Sequence, residues 1–200
     1  MMKIMMKSIT MMEQRKLNSD FSFDTEGRTV EGMAVVFDSP SEDLGWTEVI
    51  HRGAITPETI KESDVLAKFN HQDDKVLARS KNGVGSLLLE VDDKGVRYMF
   101  DAPKTALGDE LLEYLKRGDI TASSFAFSID KTDKEAERWY KKDGRIYRDI
   151  YHIHRLYDVS PVFQPAYEAT SCSARFKEVK ALSDEIDAKM DLLKDEINNL

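Results

Sequence analysis

The sequence predicts an α+β fold: a mostly antiparallel, partly closed, β-barrel-like sheet flanked by a few helices, with an amphipathic helix at the C-terminus. Three observations lead there. Short apolar runs, set apart by clusters of Asp, Gly, Pro and Ser, recur between residues 29 and 162. Helix signals in this span are few. Strands and helices do not alternate regularly, as a parallel βαβ sheet would require.

Residues 29–37 (Thr-Val-Glu-Gly-Met-Ala-Val-Val-Phe) read as a strand ended by the Asp38-Ser39-Pro40 turn, with residues 46–50 as its expected partner. Thr56-Pro57-Glu58 starts a short helix that stops near Ser63: a hydroxyl cap, proline at the first helical position, then an acid at the positive end of the dipole. Residues 65–70 and 75–80 are strands around His71-Gln72-Asp73-Asp74. Residues 87–91 and 96–100 form a hairpin, for which Gly95 is expected to supply a positive φ. Leu107, Leu111, Leu112 and Leu115 recur at helical spacing over residues 105–117, and Gly118 is a C-terminal cap. The strand that carries Ser124 follows, in the segment 118–128. Residues 131–144 are charged and read as an exposed insertion or long hairpin. Strand character returns over 145–162, closed by Pro161 and Pro165.

The ends differ from this middle. Six of the nine methionines fall in the first twelve residues, where Lys3 and Lys7 interrupt any secretory apolar core. Residues 1–20 are therefore read as a dispensable, disordered leader, and residues 21–176 as the folded domain. From 177 to 200, Val179, Leu182, Ile186, Met190, Leu193, Ile197 and Leu200 form a narrow apolar stripe on a charged helix. That tail packs back on the domain, or it binds a partner or a second copy; the latter is preferred, because the core is complete without it.

Composition excludes several classes. Of the 200 residues, 41% are hydrophobic and 33% charged, enough for one domain with a real core. The net charge of −8 argues against a nucleic-acid partner. No apolar run approaches the roughly 20 residues of a membrane span. One cysteine, Cys172, allows no internal disulfide framework and fits a reducing cytoplasm. With four histidines and neither a Cys pair nor a His-Glu-x-x-His pattern, neither metal nor cofactor is expected.

The segment Gly118-Asp119-Ile120-Thr121-Ala122-Ser123-Ser124-Phe125-Ala126-Phe127-Ser128 carries the chemistry. Alternate strand residues face opposite ways, so Phe125, Phe127 and Ile129 share one face and Ala122, Ser124, Ala126 and Ser128 the other. The small face either packs closely on a neighbour or displays the Ser124 hydroxyl as a nucleophile with space around it. A nucleophilic serine needs a base, and the base needs an orienting group. Four bases are available: His51 in a turn, His71 at a strand end, and His152 and His154 on one face of the late strand with Leu156 and Asp158.

Five blocks add a resemblance. They are Gly32-Met33-Ala34-Val35-Val36-Phe37; Glu48-Val49-Ile50-His51-Arg52-Gly53-Ala54-Ile55; Phe69-Asn70-His71-Gln72-Asp73; Gly118-Asp119-Ile120 leading to Ser124-Phe125-Ala126-Phe127; and Leu156-Tyr157-Asp158-Val159-Ser160-Pro161-Val162 leading to Pro165-Ala166-Tyr167. In this order, from about Gly27 to Ala169, the chain resembles the prohead maturation proteases of tailed phages, serine peptidases related in fold to the herpesvirus assembly protease. The chain departs from the family at Ala78, Ala122 and Ala126, where the family tends to have glycine.

The resemblance implies a serine endopeptidase that cleaves major capsid and scaffold proteins inside the assembling procapsid, in the host cytoplasm. It implies Ser124 as nucleophile, ahead of Ser123, and His71 as general base. The third member is Asp158, where the family usually has glutamate, or His154, since the herpesvirus relatives use a histidine. Asp158 is preferred, although it could instead simply pair with Arg155 or Arg145. A homodimer through the C-terminal helix or the sheet is a further expectation. The alternative function is a non-catalytic capsid-assembly or scaffolding module working through that helix.

Overall fold

The computed structural model describes residues 12–18, 22–23 and 27–163. Its strands are β1 (Met12–Asn18), β2 (Ser22–Phe23), β3 (Thr29–Val36), β4 (Thr47–Ile50), β5 (Asp64–Lys68), β6 (Val76–Lys81), β7 (Val84–Gly85), β8 (Leu87–Val91), β9 (Gly95–Asp101), β10 (Ile120–Ser128), β11 (Glu137–Lys142), β12 (Arg145–Ile150) and β13 (Arg155–Phe163). The helices are α1 (Pro57–Lys61) and α2 (Ala106–Arg117). The chain is mostly β with few helices, as expected. The expected partly closed barrel is not formed: the strands make three open sheets, ordered β1-β10-β13-β5-β6-β7, β2-β3-β9-β8 and β11-β12-β4. The tail at 177–200, Cys172 and the Pro165-Ala166-Tyr167 block lie outside the described residues.

The six-stranded and four-stranded sheets share one apolar core, to which β3 gives Val30 and Val35, β9 gives Val96, Tyr98 and Phe100, and β10 gives Phe125 and Phe127. Leu111 and Leu115 on the inner face of α2 join the same core. Both helices are capped as their sequences dictate. Thr56 and Thr59 form a reciprocal capping box on α1, and Thr105 accepts from the Gly108 N–H on α2. Gly118 ends α2 at φ 75°, a left-handed turn that glycine takes without steric cost, and delivers the chain directly into β10.

Several expectations change. Residues 46–50 do not partner β3; β4 runs parallel to β12, and β3 pairs with β2 and β9. Gly95 is not at positive φ. It is required because a Cβ there would lie 1.9 Å from the Val35 carbonyl oxygen, where β9 and β3 approach across a register shift. The charged segment 131–144 is half turn and half strand: β11 and β12 form a hairpin across Asp143-Gly144, both at positive φ, the geometry of a type I′ turn. The single late strand is broken at 151–154, so β12 and β13 belong to different sheets. Pro161 lies inside β13 rather than closing it. Its carbonyl accepts from the Asn70 N–H, so its missing donor faces the side where the β5 pairing has already ended. Residues 12–18, inside the stretch read as a leader, form the edge strand of the largest sheet, paired with β10 along its length.

Candidate active site

Strand β10 is central in its neighbourhood, with β1 on one side and β13 on the other. Its parity follows the sequence. Ser123 faces the core and shares a 2.8 Å hydrogen bond with the buried Tyr98 hydroxyl. Burial raises the Tyr98 pKa well above the ordinary phenol value, so that hydroxyl stays protonated. Ser124 faces the other way. The expected open space around it is absent: Ser124 is fully buried. Its Oγ donates to the Arg15 carbonyl of β1 at 2.6 Å and lies 2.5 Å from His71 Nε2.

His71 reaches this position through an unusual backbone. Asn70 and His71 both sit in the left-handed region, at φ 52° and 59°. Asn and His are among the few non-glycine types that tolerate it, at a cost of roughly 1–3 kcal/mol each. The chain thereby turns back at the end of β5, held by Asn70 N–H to the Pro161 carbonyl (3.0 Å) and Gln72 N–H to the Phe69 carbonyl (3.1 Å). The imidazole is left mostly buried, its two nitrogens facing two different strands.

Its Nδ1 lies 2.7 Å from Asp158 Oδ1 on β13, at ion-pair distance though not in a straight N–H···O line. Asp158 is fully buried, and the same Oδ1 accepts from Ser160 Oγ at 2.9 Å. The other oxygen, Oδ2, accepts no hydrogen bond and faces Lys68 Nζ at 3.6 Å. That ammonium also donates to Asp73 Oδ1 at 2.7 Å. Asp158 pairs with neither Arg155, which reaches Glu62, nor Arg145.

The structure thus brings Ser124, His71 and Asp158 together, and leaves His154 apart. His154 lies on the surface before β13; its N–H donates to the Ser128 carbonyl, four residues along β10 from Ser124. His152 is exposed and pairs with Asp133, and His51 stacks on Tyr151 between Asp38 and Asp149. Among the described residues, no cluster of His, Cys, Asp and Glu could hold a metal, and no helix is long and apolar enough to cross a membrane.

Sequence reasoning missed three contributors. Ser160 could have been found, since it follows Asp158 by two positions and so shares its strand face. Lys68 stood out only as a lysine in the apolar run 65–69. Arg15 lay in the presumed leader. Its guanidinium forms a two-bond contact with the buried Glu48 carboxylate (2.5 and 2.6 Å), and Arg148 joins Glu48, Glu13 and Glu137. Arg148 is held well above its usual pKa: burial opposes its charge, but the three carboxylates outweigh that. This buried network ties β1 to β4, β11 and β12, and so fixes the strand whose carbonyl touches Ser124.

A hydroxyl within reach of one imidazole nitrogen, with a buried carboxylate beside the other, is the arrangement serine hydrolases use. The chain belongs to the caudovirus prohead serine protease family, whose model matches residues 13–185, and it is therefore a serine protease of phage prohead maturation. No curated protein matches the chain. Among solved structures it is similar to the capsid assembly protease gp21 of bacteriophage T4, at 10% identity and a TM-score of 0.47, covering 76% of this chain and 98% of that one. Family membership sets aside the reading as a non-catalytic scaffolding module.

Proposed function

We propose that Ser124, His71 and Asp158 are the nucleophile, general base and orienting carboxylate of an endopeptidase that cleaves capsid and scaffold chains within the assembling procapsid. One observation carries the assignment: the His71 ring bridges the Ser124 hydroxyl through Nε2 and the buried Asp158 carboxylate through Nδ1.

The chemistry is acyl transfer. Asp158 holds the proton on Nδ1, leaving the Nε2 lone pair aimed at Oγ. As Oγ attacks the scissile carbonyl, its proton passes to Nε2; the imidazolium formed is stabilised by Asp158 and returns the proton to the departing amine. Water then repeats the sequence to release the acyl group. The Arg15 carbonyl, 2.6 Å from Oγ, competes with His71 Nε2 for the single hydroxyl proton, so loosening the Ser124 contact with β1 favours transfer to the imidazole.

The test is processing of capsid and scaffold chains co-assembled with this protein. Ser124→Ala lowers cleavage by roughly 10^4- to 10^6-fold while keeping the fold. Cleavage at the wild-type rate would remove Ser124 from the mechanism.

A further inference from the structure

We propose that Lys68 is a positioning residue of this site: its ammonium shares the Asp158 carboxylate with His71 and limits how strongly that carboxylate holds a proton on the imidazole, while Asp73 sets the ammonium's position. The inference rests on the triad reading above.

A fully buried carboxylate needs compensation for lost water. Asp158 Oδ1 has His71 and Ser160, but Oδ2 has no hydrogen bond, and the nearest cation is Lys68 Nζ at 3.6 Å. Lys68 is itself nearly buried, at 8% exposure, with its ammonium held between the solvent-facing Asp73 and the interior Asp158. Burial pulls its pKa down, but the bond to Asp73 and the charges of Asp158 and Asp73 outweigh this and hold it above the ordinary lysine value. It is a permanent cation. Asp73 is almost fully exposed, accepts from Nζ at 2.7 Å and is held below the usual carboxylate range by that bond. The ammonium therefore lies between a solvent-facing acid that bonds it and an interior acid that it falls just short of bonding.

The other groups against the pair are neutral among the described residues: Ser124 from β10, Ser160 from β13 and the Arg15 backbone carbonyl from β1. Among the described residues Lys68 is thus the cation that faces the pair, and its placement bears on the field at His71. A full-strength Asp158 would favour the imidazolium, which cannot accept the Ser124 proton. The ammonium offsets part of that field. If Asp73 releases Lys68, Nζ closes on Oδ2 and the offset grows.

Two readouts test this on the full chain. One is the NMR titration of the His71 imidazole. The other is the pH dependence of Ser124 modification by diisopropyl fluorophosphate, in which Oγ–P forms, P–F breaks and the hydroxyl proton passes to His71. In Lys68→Met, of similar length, the titration midpoint and the acid limb of modification move up by about 0.5–1 pH unit. Lys68→Arg, which retains the charge, reverses most of that shift. In Asp73→Asn both move down, and this shift disappears in the Lys68→Met, Asp73→Asn double variant, because it acts through Lys68. An unmoved midpoint in Lys68→Met, or an Asp73→Asn shift that persists in the double variant, would overturn the proposal with the triad intact. Wild-type protein that reacts no better than Ser124→Ala would instead overturn the triad reading, and with it the place of Lys68 in acyl transfer.

Discussion

Asp158 and His154 are two candidates for one role, and burial separates them. Asp158 is sealed from solvent against His71, whereas His154 is exposed and bonded through its backbone N–H to the Ser128 carbonyl at the far end of β10. Asp158→Asn is expected to lower turnover about 10^4-fold, because the amide no longer selects the Nδ1–H tautomer. His154→Ala is expected to leave turnover within about twofold, since surface substitutions away from the chemistry are close to neutral. Measuring kcat for both on one peptide substrate decides between them; a large loss in His154→Ala would reverse the assignment.

Among the elements, β1 has the largest consequence. It is an edge strand, yet Arg15 and Glu13 anchor it through the buried network with Glu48, Arg148 and Glu137. Glu48→Gln leaves two guanidinium groups short of a buried partner and is expected to destabilise the fold by about 3–5 kcal/mol, read by urea unfolding. Because the same anchor presses the Arg15 carbonyl on Ser124, the folded fraction of that variant should react faster with diisopropyl fluorophosphate. A slower reaction would mean that β1 helps to position the hydroxyl. The α2–β10 junction gives a simpler prediction. Gly118→Ala meets no neighbouring atom but must hold φ 75°, and is expected to cost about 1 kcal/mol in the same assay.

Across the whole molecule, charge sets the response to acid. Asp64, Asp73, Asp92, Asp130 and Asp133 all have pKa values lowered by hydrogen bonds in the folded state: to Arg79, to Lys68, to the Lys94 and Gly95 amides, to Thr132, and to His152. A carboxyl depressed on folding contributes stability that is complete above its unfolded value, near 3.9, and is lost as pH falls through its folded value. The thermal midpoint should therefore fall below about pH 4, by an amount that solvent screening of these exposed groups keeps modest, with these aspartates contributing little change between pH 5 and 8. A midpoint insensitive to pH between 4 and 2 would contradict the folded-state pairing.

Local signals determined much of this protein. The Thr56 and Thr105 caps, the leucine spacing of α2, the Gly118 stop and the alternation in β10 each depend on neighbours a few residues apart, so the sequence alone placed both helices and put Ser124 and Ser123 on opposite faces. The ordered motif blocks indicated the family. Only the tertiary structure decided the rest. Which strands pair, that β3 takes β9 rather than β4, that the sheets stay open, and that β1 is part of the fold are all set by contacts between residues far apart in the chain. The surroundings of Ser124 are of that kind. A carbonyl from residue 15, an imidazole from residue 71 and a carboxylate from residue 158 meet there because β1, β5 and β13 lie in one sheet with β10. Periodicity reports which face a side chain takes, but not what is packed against it.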